Sequence, residues 1–500
     1  VSPDSQTGVV SNTVNTLVAG NLRSTGLGSD TAASGPRTFA GAGPTGNVIR
    51  VRASGAVQTG TISTGGNAII VSDLSSITTQ AVSAPVGVSV FVRGNANMGD
   101  IATTGNFSIG DSSQVFTFVP MYQPFGFGGS QTSTSGGATL GMVTAGLIGG
   151  TTRDALVYGS LAATNSLSWT SLQGGITGGA LSAGQSLTIR AAGNIWFTTA
   201  NSGTTTFLTG GGSLVGTSIT AGESVGAFSQ TGMTVGPVSA NGGDVTLSTL
   251  SNELRATTVS ATRDILIGAT DGGALTANVV LGTVTSGGST RIEGGNVVPG
   301  TVVTGAITTG TGLNVSATSV ATGDIASGGN AVFETFGGAL TIGNATAANL
   351  IANSTGSLTT GRVTAIEDIR LFGGPGPALM TTGDLTAGDD IIATGNAITT
   401  GNLLTTGLGP DVENNGSTID LQLNRIATGT ANSAGTILYA ASQPITFTST
   451  TSRFGTTIRS FGAIPGGNST AGTTLDIQGG SIDTGNGQAG GALNYINFAP

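Results

Sequence analysis

The sequence predicts an all-β chain folded as a right-handed parallel β-helix, a solenoid of roughly 20 residues per coil. Three observations carry this expectation. Short segments alternate apolar and polar residues at a near-constant interval, Gly-Asx triplets punctuate them, and apolar residues never recur at helical spacing over any length.

The repeat begins near the N-terminus. "NVIRVRA" at 47–53, "NAIIVSD" at 67–73, "VSVFVRG" at 88–94 and "NFSIGD" at 106–111 start about 18 to 21 residues apart, within the range of solenoid repeats. Each places β-branched or aromatic residues at every second position, as a strand with one buried face requires. Weaker apolar pairs lie between them, Val57 with Ile62 and Ile77 with Val82, and read as the second strands of the same coils.

Farther along, the repeat resumes at "AGQSLTIRAAG" (183–193), "AGESVGAFSQTG" (221–232), "NGGDVTLSTL" (241–250) and "ATRDILIGAT" (261–270). It continues through "STRIEGGNVV" (289–298), "TGLNVSATSV" (311–320), "GGNAVFETFGG" (328–338), "AIEDIRLFGG" (365–374) and "AGDDIIATGN" (387–396). Val245 and Ile265 fall one period apart, and Leu187 and Val225 close to two.

The turns repeat as well. Thr-Gly-Asn ends at Asn47, Asn106, Asn396, Asn402 and Asn486, and Thr-Gly-Asp at Asp324 and Asp384. Glycine supplies positive φ and Asn or Asp bonds its own backbone, so such triplets are expected to bend the chain sharply. Stacked Thr and Asn are expected to form ladders along the coils. One coil cannot bury its apolar face alone, whereas stacking at about 4.8 Å gives every strand two partners. The whole sequence would then supply roughly two dozen coils, a rod on the order of 100 Å.

Four regions follow: N-terminal coils at 1–112, an aromatic- and Gly-rich insertion at 113–165, the main β-helix at 166–408 and C-terminal coils at 409–500. The insertion holds the densest aromatic cluster, Phe116, Phe118, Tyr122, Phe125 and Phe127, as a flap over a coil face or a self-association patch.

Composition narrows the function. Only 8% of the residues are charged, against 37% hydrophobic and 87 Gly in 500 residues, and mean hydropathy is +0.25, too apolar for a disordered chain. All 15 basic residues are Arg and are outnumbered by 24 acids, with no basic run, which disfavours nucleic acid and anionic membrane as partners. No stretch is long and apolar enough to insert in a membrane, and no signal peptide opens the sequence. With His and Cys both at 0, Ser–His–Asp, Cys–His and thiolate or imidazole metal chemistry are excluded, and without Lys there is no Walker lysine.

Carboxylates remain. Asp244 and Asp264 take similar places in successive coils, and Asp368 and Asp390 repeat the arrangement. Stacked carboxylates repel, which raises a pKa or favours Ca²⁺, but solvated turn residues at strand entries are the expected reading. Arg263, Arg291 and Arg370 are expected to offset this charge rather than bind substrate. No catalytic, cofactor-binding or metal-binding residue is assigned, and no cofactor is expected.

The segments "LSAGQSLTIRAAGNI" at 181–195 and "LTAGDDIIATGNAITTGNLLTTG" at 385–407 resemble the repeats of filamentous haemagglutinin-type exoproteins, large passengers of two-partner secretion. The likeness covers most of 181–408 and, more loosely, 45–112; the secretion domain with its Asn-Pro-Asn motifs is missing. It implies a right-handed β-helix at the outer surface of a Gram-negative bacterium, with roles in adhesion, aggregation or biofilm. The expected function is therefore a secreted structural or adhesive surface protein, a filament or surface-layer subunit, whose partners are other copies or a host or cell-surface ligand. A polysaccharide lyase or hydrolase on the same fold is the alternative, and ice binding through Thr-x-Thr arrays a weaker third.

Overall fold

Alternation that reads weakly in the sequence becomes three stacked columns of short strands. The computed structural model describes residues 9–11, 16–24, 49–110, 136–268, 278–294, 300–374, 376, 378–410 and 416–498. Among them there is no helix, and none long and apolar enough to cross a membrane. The chain is a parallel β-solenoid of about 21 coils with turns of about 19 residues. It forms two compact units, Val1–Asn241 and Gly242–Pro500.

In the first unit the ladder passes Ile49, Ala68, Val88, Phe107, Ile148, Leu167, Leu187, Thr206 and Val225, each opposite the next. The neighbouring inward row carries Trp169, which is 0% exposed and stacks on Phe107 at 6.4 Å between ring centroids. Its indole occupies the space opposite Gly150, where a Cβ would lie 2.6 Å from the ring, so bulk on one coil is balanced by glycine on the coil beside it.

In the second unit the equivalent row is Val245, Ile265, Thr290, Leu313, Ala331, Leu350, Ile369, Ile391, Ile419, Ile437, Thr456 and Leu475. All are buried, and each Leu or Ile stabilises the stack by roughly 1.5–3 kcal/mol. Hydroxyls close the interior where strands turn: Thr309 donates to Ser327 at 3.1 Å, Thr335 to Ser354 at 3.1 Å and Thr450 to Ser469 at 3.0 Å. Hydroxyl pairs of Thr with Ser thus line the inside of the stack.

Coils hold up to three strands rather than two. Leu350–Ser354, Leu358–Thr360 and Val363–Ala365 make one coil, and Ile369–Gly373, Leu379–Thr382 and Leu385–Ala387 the next. Val57 and Ile62, read as one weak strand, open the separate strands Val57–Thr59 and Ile62–Thr64, because a Gly60 corner divides them.

The aromatic cluster at 115–129 lies outside the described residues. The later part of the 113–165 segment belongs to the ladder: Ala138–Ala145 pairs with Ala96–Ala102 on one side and Leu156–Ala163 on the other. Inward Ala138, Leu140, Val143 and Ala145 carry it, an alternation that glycine and threonine obscure in the sequence.

Candidate functional site

At the corners between strands the backbone ladder is interrupted, and Asx side chains take over. Oδ1 of an Asp or Asn on one coil accepts the N–H at the equivalent position of the next. Asn21 caps Thr61 at 2.9 Å, Asp100 caps Met142 at 2.9 Å and Asn194 caps Ser213 at 2.8 Å. In the second unit Asp324 caps Asn344 at 2.9 Å, Asn344 caps Arg362 at 3.0 Å, Asp384 caps Asn402 at 2.8 Å and Asn402 caps Thr430 at 3.0 Å.

This corrects the reading of the Thr-Gly-Asx triplets. Of the triplet glycines among the described residues, only Gly395 has a φ, +153°, in the left-handed region; Gly105, Gly323, Gly383, Gly401 and Gly485 do not. Close approach is what demands glycine. A Cβ on Gly401 would lie 2.4 Å from Asp384 Oδ1, and one on Gly485 2.4 Å from Asn468 Oδ1. The glycine is the floor on which the preceding coil's Asx rests while it reaches the next N–H.

Asp244 and Asp264 belong to this system. Asp244 Oδ1 accepts the Asp264 N–H at 3.1 Å, and Asp264 Oδ1 accepts the backbone N–H and hydroxyl of Ser289 at 2.7 and 2.9 Å. Those two hydrogen bonds from Ser289 hold the Asp264 carboxyl below its ordinary 3.8, against slight desolvation and with help from Arg263. Arg263 pairs with Asp244 at 3.5 Å, and Arg291 pairs with Glu293. These are exposed structural caps.

The Asp368–Asp390 column departs from that pattern. Asn349 caps Asp368 at 2.9 Å, Asp368 caps Asp390 at 3.2 Å and Asp390 caps Thr418 at 2.7 Å. Before each capped residue stands a side chain instead of glycine: Glu367, Asp389 and Ser417. Asp389 is thereby folded inward, its Oδ1 accepting the Ser417 hydroxyl at 3.1 Å and its N–H donating to the Glu367 carbonyl at 3.0 Å. Asp368, Asp389 and Asp390 are 7%, 1% and 0% exposed, so the expectation of solvated turn residues fails here. The next coil is long here, with a register step of 28 residues from Asp390 to Thr418.

Carboxylate oxygens of these three residues lie within 4.8 Å of one another. Arg370 Nη2 reaches Asp368 Oδ2 at 2.9 Å and neutralises part of the charge. Oxygen-only donors of this kind are the set that could hold a hard cation such as Ca²⁺ or Mg²⁺. Sequence reasoning paired Asp368 with Asp390 but missed Asp389. The signal was the Asp-Asp doublet, since the sequence places two aspartates side by side nowhere else.

Outside, the second unit presents neutral hydroxyl rows. Thr341, Thr359, Thr381 and Thr399 stand opposite one another on four successive coils, all exposed. Thr346, Thr364 and Thr386 form a second row across the Gly-Asx corner. The sequence search for Thr-x-Thr on one strand could not find rows split between two strands.

Comparison of the chain with protein-family models, curated proteins and solved structures finds no match.

Proposed function

We propose that this protein is a secreted structural and adhesive protein of the outer surface of a Gram-negative bacterium, able to serve as a filament or surface-layer subunit. The exposed in-register threonine rows support this reading most. They repeat one neutral chemistry at each step of about 4.8 Å, which suits contact with an extended surface at many weak points more than convergence on one reacting bond. The low charge and the absence of any basic run in the sequence fit partners other than nucleic acid. The likeness of 181–195 and 385–407 to filamentous haemagglutinin-type repeats points the same way.

Display of the chain on a non-adherent Gram-negative host tests it. Retention on abiotic or cell surfaces, or cell–cell aggregation, is expected to rise above that of the undecorated host. Verified display with neither effect would overturn the proposal.

The alternative, a polysaccharide-active enzyme, draws on Asp368, Asp389, Asp390 and Arg370. Carboxylates at 7% exposure or less lie beneath the surface a polymer would touch. Turnover of an acidic polysaccharide that is lost in Asp390→Asn would favour this alternative over the adhesive one.

A further inference from the structure

An open groove of about 570 Å³ runs along one face of the second unit, beside the strands Thr418–Ser433, Thr436–Ala441 and Thr456–Ser460. One wall is a row in ladder register: Gln422 stands opposite Ala440, Ala440 opposite Arg459 and Arg459 opposite Gln478. These polar groups are held in place. Gln422 Nε2 donates to both oxygens of Asp420 at 3.2 and 3.0 Å, and Gln478 Nε2 to both oxygens of Asp476 at 3.0 and 2.9 Å. Arg459 Nη2 also reaches Asp476 Oδ2, at 3.3 Å, so the cation lining the groove is offset locally. At the corner, Asn424 donates to Asn396 Oδ1 at 2.8 Å and accepts the Ser442 hydroxyl at 3.1 Å.

Against this polar wall sit two phenyl rings. Phe461 is 81% exposed and Phe498 38%, with centroids 6.1 Å apart and planes tilted by 34°. Phe461 leaves nearly all of an apolar face in water beside fixed amide and hydroxyl groups. The ligand that complements such a groove has apolar faces and polar edges at once. Sugar rings do: axial C–H groups pack on a phenyl face while hydroxyls at the rim meet amides. The locally offset charge selects against an anionic polymer, and a polar row advancing by about 4.8 Å per coil suits a chain of repeating units.

We propose that this groove binds a neutral glycan, with Phe461 as the stacking platform and Gln422, Asn424 and Gln478 as the polar edge. The inference deepens the adhesive reading and rests on it, since it names the class of surface ligand. Native gel electrophoresis of the purified chain in hydroxyethylcellulose, galactomannan or yeast mannan tests it, with alginate as the anionic comparison. At least one neutral polymer is expected to retard the chain. Phe461→Ala is expected to weaken that retardation at least tenfold in Kd, Phe461→Trp to restore it, and both variants to keep the wild-type circular dichroism. No retardation by any neutral polymer, equal retardation of Phe461→Ala, or stronger retardation by alginate would each overturn the assignment. The displayed chain separates the two claims. Cells that adhere although the purified chain ignores neutral glycans would remove the groove and leave the surface function, whereas cells that never adhere would remove the surface function whatever the gels show.

Discussion

Two corners of the second unit solve the same problem in different ways. Along Asp324, Asn344, Arg362, Asp384 and Asn402, each Asx caps the next coil over a glycine or its equivalent, and the corner stays open to water. Along Asn349, Asp368, Asp390 and Thr418 the capping bonds are the same, but Glu367, Asp389 and Ser417 replace glycine and the corner is covered. Side chains stand in place of the glycine floor where the charge is buried, although Arg263 before the exposed Asp264 shows that a side chain there does not by itself bury a corner. One corner tolerates loss of a cap because water can take its place. The other cannot, because a buried N–H left without an acceptor carries its full desolvation cost.

The largest effect is expected at the covered corner. Asp390→Ala removes the acceptor of the Thr418 N–H and is expected to cost about 3 kcal/mol, seen as a lower urea midpoint by circular dichroism. Asp390→Asn keeps an oxygen in place and relieves repulsion among three carboxylates, so its midpoint is expected within about 1 kcal/mol of wild type. Should the two variants be equally destabilised, charge rather than hydrogen bonding would be the property that matters there.

Next comes the glycine floor. Gly401→Ala places a methyl 2.4 Å from Asp384 Oδ1 and is expected to cost about 2 kcal/mol by displacing that cap. Asp384→Ala removes the cap and an exposed ion pair to Arg362 at 3.8 Å, in an open corner, and is expected to cost only about 1 kcal/mol. An Asp384→Ala loss as large as that of Asp390→Ala would erase the distinction between the corners.

The smallest effects are in pH dependence. The Asp264 carboxyl, held below 3.8 by Ser289, contributes stability above that value, and the contribution is lost as pH falls through the depressed value. Asp264→Asn is therefore expected to flatten acid unfolding in that window. Asp420 has the opposite sign: desolvation raises its carboxyl, against the hydrogen bonds from Gln422, so ionisation costs stability at neutral pH. Asp420→Asn is expected to raise the neutral-pH midpoint slightly, and thermal melts of both variants across the acid range check the two signs.

Much of the fold was legible one residue type at a time. Val245 and Ile265, spaced one period apart, do stand opposite each other, and Leu187 meets Val225 through Thr206. The sequence partition missed Ala138–Ala145 because glycine and threonine dilute its alternation, and it read Val57 and Ile62 as one strand because a single glycine makes the corner. Asp244 and Asp264 were recognised as neighbours in successive coils, and they are.

What the amino-acid order determined by itself is the period: residues one coil apart must share an inward or outward face once strands alternate, and that is a property of the chain alone. What the tertiary structure decided is what each corner meets. Whether a carboxylate ends in water or buried, and whether a glycine is there for its φ or for the oxygen pressed against it, depends in the second unit on a neighbour 18 to 28 residues away. Turn lengths vary from coil to coil, so that neighbour exists only after stacking has set the register.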